Sequence, residues 1–234
     1  MFYLAVLPVI IVTVFYSIVA ALSRPFDRSA RVYHALMRGW SRAMLWLLRV
    51  RMSVTGRENL VPGTPYIFVA NHASYLDIIA IGAALPEGGL FVYKEELTSV
   101  PIWGWSLKVS PFIMVRRSDP RHAMRSIETA AEEIRRKRQS VVIFPEGTRS
   151  EDGTLGPFKR GGFLLAAKTG VALVPLAVRG TAPLLPKGEW RVRPGRVAVA
   201  IGRPIAGRAD LTRADEKELG DRLRGELARM LESS

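Results

Sequence analysis

The sequence predicts an α/β fold: a layered, central, mostly parallel or mixed β-sheet flanked by helices and preceded by N-terminal membrane-associated helices. Three observations predict it. From Tyr66 onward, short β-branched and aromatic runs alternate with segments of helical periodicity, the pattern of a layered α/β domain. Gly and Pro punctuate the junctions between them, as in Gly56, Pro62, Gly63 and Pro65. The first part of the chain breaks the pattern with an uncharged apolar run followed by an arginine-rich one. The expected organisation is a membrane-associating helical segment over about 1–54, with a membrane helix over about 2–23 and an amphipathic helix over about 28–52. An α/β domain follows over 55–234.

Met1 to Ser23 carries no ionisable side chain except tyrosine. At about 1.5 Å per residue it is long enough to cross a hydrocarbon core of roughly 30 Å. The run is long for a signal peptide and has no positive charge before it. Arg24 is the first charge, and the basic segment behind it places the remainder on the cytoplasmic side by the positive-inside rule. Arg24 to Arg57 holds eight arginines and one acid, Asp27. On a helical wheel Arg28, Arg31, Arg38, Arg42 and Arg49 share one side, with Val32, Leu36, Trp40, Ala43, Met44 and Leu47 across from them. Such a helix suits a bilayer interface, and a domain helix with a solvated arginine face has the same pattern.

Strands are expected at Tyr66–Ala70, Leu90–Tyr93, Phe112–Val115, Val141–Phe144, Val171–Val178 and Arg196–Ile201. Helices are expected at Ser74–Leu85, Pro101–Lys108, Pro120–Arg138, Gly161–Lys168 and Thr212–Leu231. Pro120 suits a first turn, with Asp119 or Ser118 as its cap. Gly170 stops a helix, and Thr212 with Asp215 resembles a capping pair.

The formal net charge is +13, which implies an anionic partner. No motif of base-reading residues accompanies the arginines, so a nucleic acid is not expected. With no cysteine, disulfides, thiolate metal sites and a Cys-bound acyl intermediate are excluded. Three histidines, His34, His72 and His122, are too few for a multi-histidine metal site.

Two heptads carry the chemistry. Asn71-His72-Ala73-Ser74-Tyr75-Leu76-Asp77 lies between an expected strand and an expected helix. A histidine titrates near neutral pH, and a carboxylate on one ring nitrogen leaves the other as a base. The pair meets only if His72 precedes the first helical turn and Asp77 lies inside it. Otherwise His72 caps a strand end and Asp77 is a first-turn acid favoured by the helix dipole. In Phe144-Pro145-Glu146-Gly147-Thr148-Arg149-Ser150, Gly147 admits a close backbone approach, while Thr148 and the Arg149 fork suit a phosphate. Glu146 would repel a phosphate, so it orients an arginine or accepts from a substrate hydroxyl; a plain turn with a surface salt bridge accounts for the same residues.

Taken together, the heptads resemble the NHxSxxD and FPEGTRS blocks of the glycerolipid acyltransferase family. Phe112-Ile113-Met114-Val115-Arg116-Arg117 is similar to its second block, with Arg117 matching the family arginine and Arg116 standing where many members have Asp. Val174-Pro175-Leu176 resembles the fourth. The resemblance covers about residues 55–205 and is closest to bacterial 1-acyl-glycerol-3-phosphate acyltransferases. It implies acyl transfer from acyl-CoA or acyl-carrier protein to the 2-hydroxyl of lysophosphatidic acid, giving phosphatidic acid. His72 and Asp77 would form the general-base dyad, with Ser74 structural rather than nucleophilic and Asn71 supporting. Arg117, Glu146, Gly147, Thr148 and Arg149 would bind the acceptor. Lys159 and Arg160, which flank the third block, would contact an anionic substrate or simply solvent. No metal and no cofactor beyond the acyl donor is implied. The implied partners are a lysophospholipid, an acyl thioester donor and the membrane, at the cytoplasmic face of an inner membrane. An acyltransferase for another lysolipid, such as a lyso-ornithine lipid, would carry the same blocks, and so would a non-catalytic membrane-anchored lipid-binding protein.

Overall fold

The computed structural model describes residues 2–27, 29–100, 103–116, 119–151, 153–209 and 211–232. Helices α1 (Phe2–Ser23) and α2 (Arg31–Leu47) lead into strand β1 (Val50–Thr55). Then come β2 (Ile67–Ala70), α3 (Leu76–Ala84), β3 (Leu90–Lys94), α4 (Trp103–Val109), β4 (Ile113–Val115) and α5 (Pro120–Lys137). The chain continues through β5 (Val141–Ile143), α6 (Gly161–Thr169), β6 (Leu173–Arg179), α7 (Thr181–Leu184), β7 (Gly195–Ile201) and α8 (Arg213–Glu232).

The seven strands form one sheet in the order β1-β7-β6-β2-β5-β3-β4. All neighbours are parallel except β6 and β7, which pair antiparallel. The sheet is therefore mixed and mostly parallel, with a core on each face. In β2, Phe68 and Ala70 join α3 residues Leu76, Ala80 and Ile81 in one core. Ile67 and Val69 join Ile134 of α5, Leu165 of α6 and Leu223 of α8 in the other. That period-two split is why β2 reads as a continuous apolar run: both of its faces are covered.

Local signals explain the helix ends. The Asp119 side chain accepts from the backbone N–H of Arg121 and His122 at the start of α5. Gly170 ends α6 in the left-handed region. Thr212 and Asp215 exchange backbone-to-side-chain hydrogen bonds of 2.9 and 3.2 Å before α8.

The N-terminal part differs from the expectation in two ways. The amphipathic helix ends at Leu47 rather than near residue 52, and Val50–Thr55 is an edge strand paired with β7. Arg49 takes φ 56°, which breaks the helix, and β-branched Val50, Val54 and Thr55 favour extension beyond it. Second, the apolar face of α2 is not free. It packs against α1 and α3, and the Trp40 indole donates to the Thr13 hydroxyl at 3.1 Å. Arg31 and Arg42 are exposed on its other side, and Arg49 is exposed just beyond its end; Arg28 lies outside the described residues. Helix α1 is long and apolar enough to cross a membrane by length and composition. Yet Leu7, Ile11, Phe15, Ile18 and Leu22 expose a single stripe along it, while Thr13, Tyr16 and Ala20 turn inward to a cavity.

Candidate active site

The site lies where two chain directions diverge. After β2 the chain turns into α3 on one face of the sheet, and after neighbouring β5 it reaches α6 on the other. Loops leaving adjacent parallel strands toward opposite faces open a crevice at the strands' carboxyl ends. The two heptads are those loops.

His72 precedes α3, and Asp77 lies in its first turn. The His72 Nδ1 is 2.9 Å from Asp77 Oδ2. That oxygen also accepts the backbone N–H of Ala73 and Ser74, both at 2.8 Å, and Oδ1 accepts the Thr181 hydroxyl at 2.5 Å. A carboxylate receiving three other donors is an acceptor toward the imidazole as well. Nδ1 therefore carries the proton, and Nε2 is left as the basic nitrogen. Asp77 is fully buried and the His72 side chain is 14% exposed. The imidazole stacks on Phe144, with centroids 4.1 Å apart.

The second heptad holds the first. Glu146 is buried, and its two oxygens accept the backbone N–H of His72 at 2.8 Å and of Gly156 at 3.0 Å. The Ser150 N–H donates to the His72 carbonyl at 2.8 Å. Burial pushes the Glu146 carboxyl above the usual range, and those two N–H groups oppose the shift. The expected contact of Glu146 with an arginine or a substrate hydroxyl is thus replaced by a clamp on backbone. Asn71 and Ser74 also serve the scaffold. Asn71 exchanges two hydrogen bonds with the Val178 backbone, at 2.9 and 2.8 Å. The Ser74 hydroxyl donates to the Leu185 carbonyl at 2.8 Å and accepts the Leu76 N–H at 3.2 Å.

Gly147, Thr148 and Arg149 line the cavity together with His72. Gly147 has φ 74°, and a Cβ there would stand 2.9 Å from the Lys159 ammonium. The exposed Thr148 hydroxyl donates to the Arg149 carbonyl at 3.2 Å. The Arg149 guanidinium sits 3.8 Å over the Tyr75 ring, and its buried Nη1 has no hydrogen-bond partner. Lys159 is exposed beside Gly147. Arg160 is exposed and forms an ion pair with Glu216 of α8, a partner that neither expectation for it, an anionic substrate or solvent, included. Arg116 pairs with Glu95, and Arg117 lies outside the described residues.

The cavity measures about 1460 Å³ and runs from His72 and Arg149 between α1, α2 and α3. Its inner wall is apolar, with Val9, Leu36, Trp40 and Met44 among its residues. Sequence reasoning missed Thr181 and gave Phe144 and Tyr75 no role. Thr181 is separated from Asp77 by 104 residues, and only the polar residue after the buried run of β6 hints at it.

An α/β protein with a carboxylate-backed histidine lining a largely apolar cavity sets a base beside a space that suits an apolar chain. The family model described as Acyltransferase matches residues 51–179, and the chain belongs to that family. It is 38% identical over 190 residues to the chloroplastic 1-acyl-sn-glycerol-3-phosphate acyltransferase of Brassica napus, covering 80% of this chain and 54% of the relative. With the 1-acyl-sn-glycerol-3-phosphate acyltransferase of Pseudomonas aeruginosa it shares 33% identity over 186 residues, 78% of this chain and 71% of that one. The chain thus spans about half the length of the plant relatives it matches. The crystal structure of the 1-acyl-sn-glycerophosphate acyltransferase PlsC from Thermotoga maritima superposes with a TM-score of 0.74 at 27% identity, covering 98% of both chains.

Proposed function

We propose that the protein transfers a fatty acyl group from a thioester to the free 2-hydroxyl of lysophosphatidic acid, giving phosphatidic acid. The observation that carries this reading is the His72–Asp77 pair, whose free imidazole nitrogen serves a cavity that joins an arginine to an apolar wall. Nε2 takes the hydroxyl proton as the acceptor oxygen attacks the thioester carbonyl. The carbon–sulfur bond then breaks, and the imidazolium returns its proton to the departing thiolate. Asp77 stabilises the imidazolium between these events. The thioester is already activated, so no covalent acyl-enzyme and no further cofactor enter. Arg149 takes the acceptor phosphate, for which its unpartnered Nη1 is suited. Arg117, outside the described residues, is the second phosphate ligand by motif.

The exposed stripe of α1 is immersed in a bilayer on one side only, because α2 covers the other. The catalytic domain then stands on the cytoplasmic face of the inner membrane, with the N-terminal segment as its anchor. Purified protein given lysophosphatidic acid and a labelled thioester should form labelled phosphatidic acid, and His72→Ala should abolish this with the fold intact by circular dichroism. Activity retained in the variant would overturn the base assignment. Labelled product with other lysolipids but none with lysophosphatidic acid would overturn the acceptor.

A further inference from the structure

A second concavity, about 660 Å³, opens at the β1 edge of the sheet. Arg49, Arg51, Arg196 and Trp46 line it, and its lining contains no acid. Arg49 and Pro194 line the main cavity too, so the two spaces adjoin. Three features set this groove apart from an ordinary solvated surface.

Arg51 and Arg196 are register partners in adjacent parallel strands and both are exposed. Like charges placed side by side on one sheet face destabilise it unless an anion lies between them. Among the described residues, neither they nor Arg49 forms an ion pair. Arg49 occupies a left-handed position just past a helix end, where glycine is the ordinary residue. Trp46 is 78% exposed at the same place. Guanidinium forks and a bare indole around one groove are what a nucleotide needs: bidentate contacts for its phosphates and a flat surface for its base.

Resting on the acyl-transfer reading, we propose that this groove binds the nucleotide end of a coenzyme A thioester. The phosphates would lie on Arg49, Arg51 and Arg196, and the adenine on Trp46. The long pantetheine arm would then pass Arg49 and Pro194 and bring the thioester to His72. This divides the two anionic loads of the reaction: Arg149 faces the acceptor phosphate, and the sheet edge faces those of the donor. The donor class follows, since a pantetheine thioester without the nucleotide has nothing to place in the groove.

The test uses the full chain in detergent, with acyl-CoA and the matching acyl-pantetheine as donors and lysophosphatidic acid as acceptor. Arg51→Ala/Arg196→Ala should lower the ratio of kcat/KM for the CoA thioester over the pantetheine thioester about tenfold, the scale of losing paired charge-assisted contacts. Trp46→Ala should move the ratio the same way. Adenosine 3′,5′-bisphosphate binding, followed by calorimetry, should weaken in both variants. An unchanged ratio, or equal losses with both donors, overturns the proposal. So does a wild-type enzyme that accepts only an acyl-carrier protein, or variants that lose only membrane binding. Bisphosphate binding by a wild type that transfers no acyl group would support the groove and refute the transfer reading instead.

Discussion

The Thr181 hydroxyl, at the start of α7, donates to Asp77 Oδ1 at 2.5 Å. This bond holds one carboxylate oxygen, whereas Oδ2 receives the imidazole and two backbone N–H groups. Thr181→Val keeps the shape and removes the donor. A buried carboxylate oxygen without a partner costs about 2 kcal/mol, so thermal stability should fall. With Oδ1 unanchored, the carboxylate orients the imidazole less firmly, so kcat should drop about tenfold. Thr181→Ser should restore both. A purely structural threonine would lower stability without lowering kcat.

Glu146→Gln tests the clamp. An amide supplies one acceptor where two backbone N–H groups need one each, so one N–H is left facing a donor. The expected loss is about 1–3 kcal/mol of stability together with a lower kcat, while the KM for the acceptor changes little. A large rise in acceptor KM at constant stability would instead place Glu146 on the substrate. Burial raises the Glu146 pKa, so its contribution is full below the ordinary carboxylate range and is lost as pH rises through the folded value. The pH dependence of stability should accordingly flatten in the variant across that window.

Arg149→Ala should raise the apparent KM for lysophosphatidic acid at least about tenfold and much less for an acceptor lacking the phosphate. Lysine should rescue only partly, because a point charge neither forks nor lies flat on Tyr75. Kinetics with the two acceptors checks this directly.

His34 gives a pH dependence of the opposite sign. Its Nε2 is 2.6 Å from Gln139 Oε1, and the Gln139 amide donates to the Ser29 carbonyl, so Nε2 is the protonated nitrogen. Nδ1 is buried without a partner against Gly88. Burial lowers the His34 pKa and the nearby Arg38 adds to this, although Gln139 and Asp27 oppose it. Stability from the neutral ring is complete above the unfolded value and is lost as pH falls through the folded one. Melting temperatures measured from about pH 7.5 to about pH 5 should decline in the wild type and decline less in His34→Asn.

Replacing Leu7, Ile11, Phe15 and Leu22 by serine should release the protein from anionic vesicles in a flotation assay. It should leave the fold intact, since these side chains are exposed. Continued flotation would put the anchor elsewhere. Deleting residues 1–52 is a poorer test, because it removes α2 and half of β1.

The sheet was legible because its strands are buried on both faces and read as unbroken apolar runs, as in β5 and β6. β1 was not, because its alternation of Val50, Met52 and Val54 with Arg51 and Ser53 continues an arginine-rich stretch with no glycine or proline between. For His72 and Asp77 the spacing posed the right geometric condition, and the carboxylate meets it by folding back onto the turn before its own helix. What could not be read were long-range closures: Thr181 on Asp77, Glu146 on the His72 backbone and Glu216 on Arg160. Each joins residues from separate loops or helices, where no periodicity carries a signal.

Helices α2 and α3 meet with almost no space between them: a Cβ at Gly82 would lie 2.6 Å from the Ser41 hydroxyl and 3.0 Å from the Met37 methyl. One of these helices leans on α1, and the other carries Asp77. A bulkier residue at position 82 would therefore wedge the two apart, and the displacement would reach both the exposed stripe of α1 and the Asp77 carboxylate. The contact works as a spacer: it holds the outermost apolar helix and the turn that backs His72 at one fixed separation.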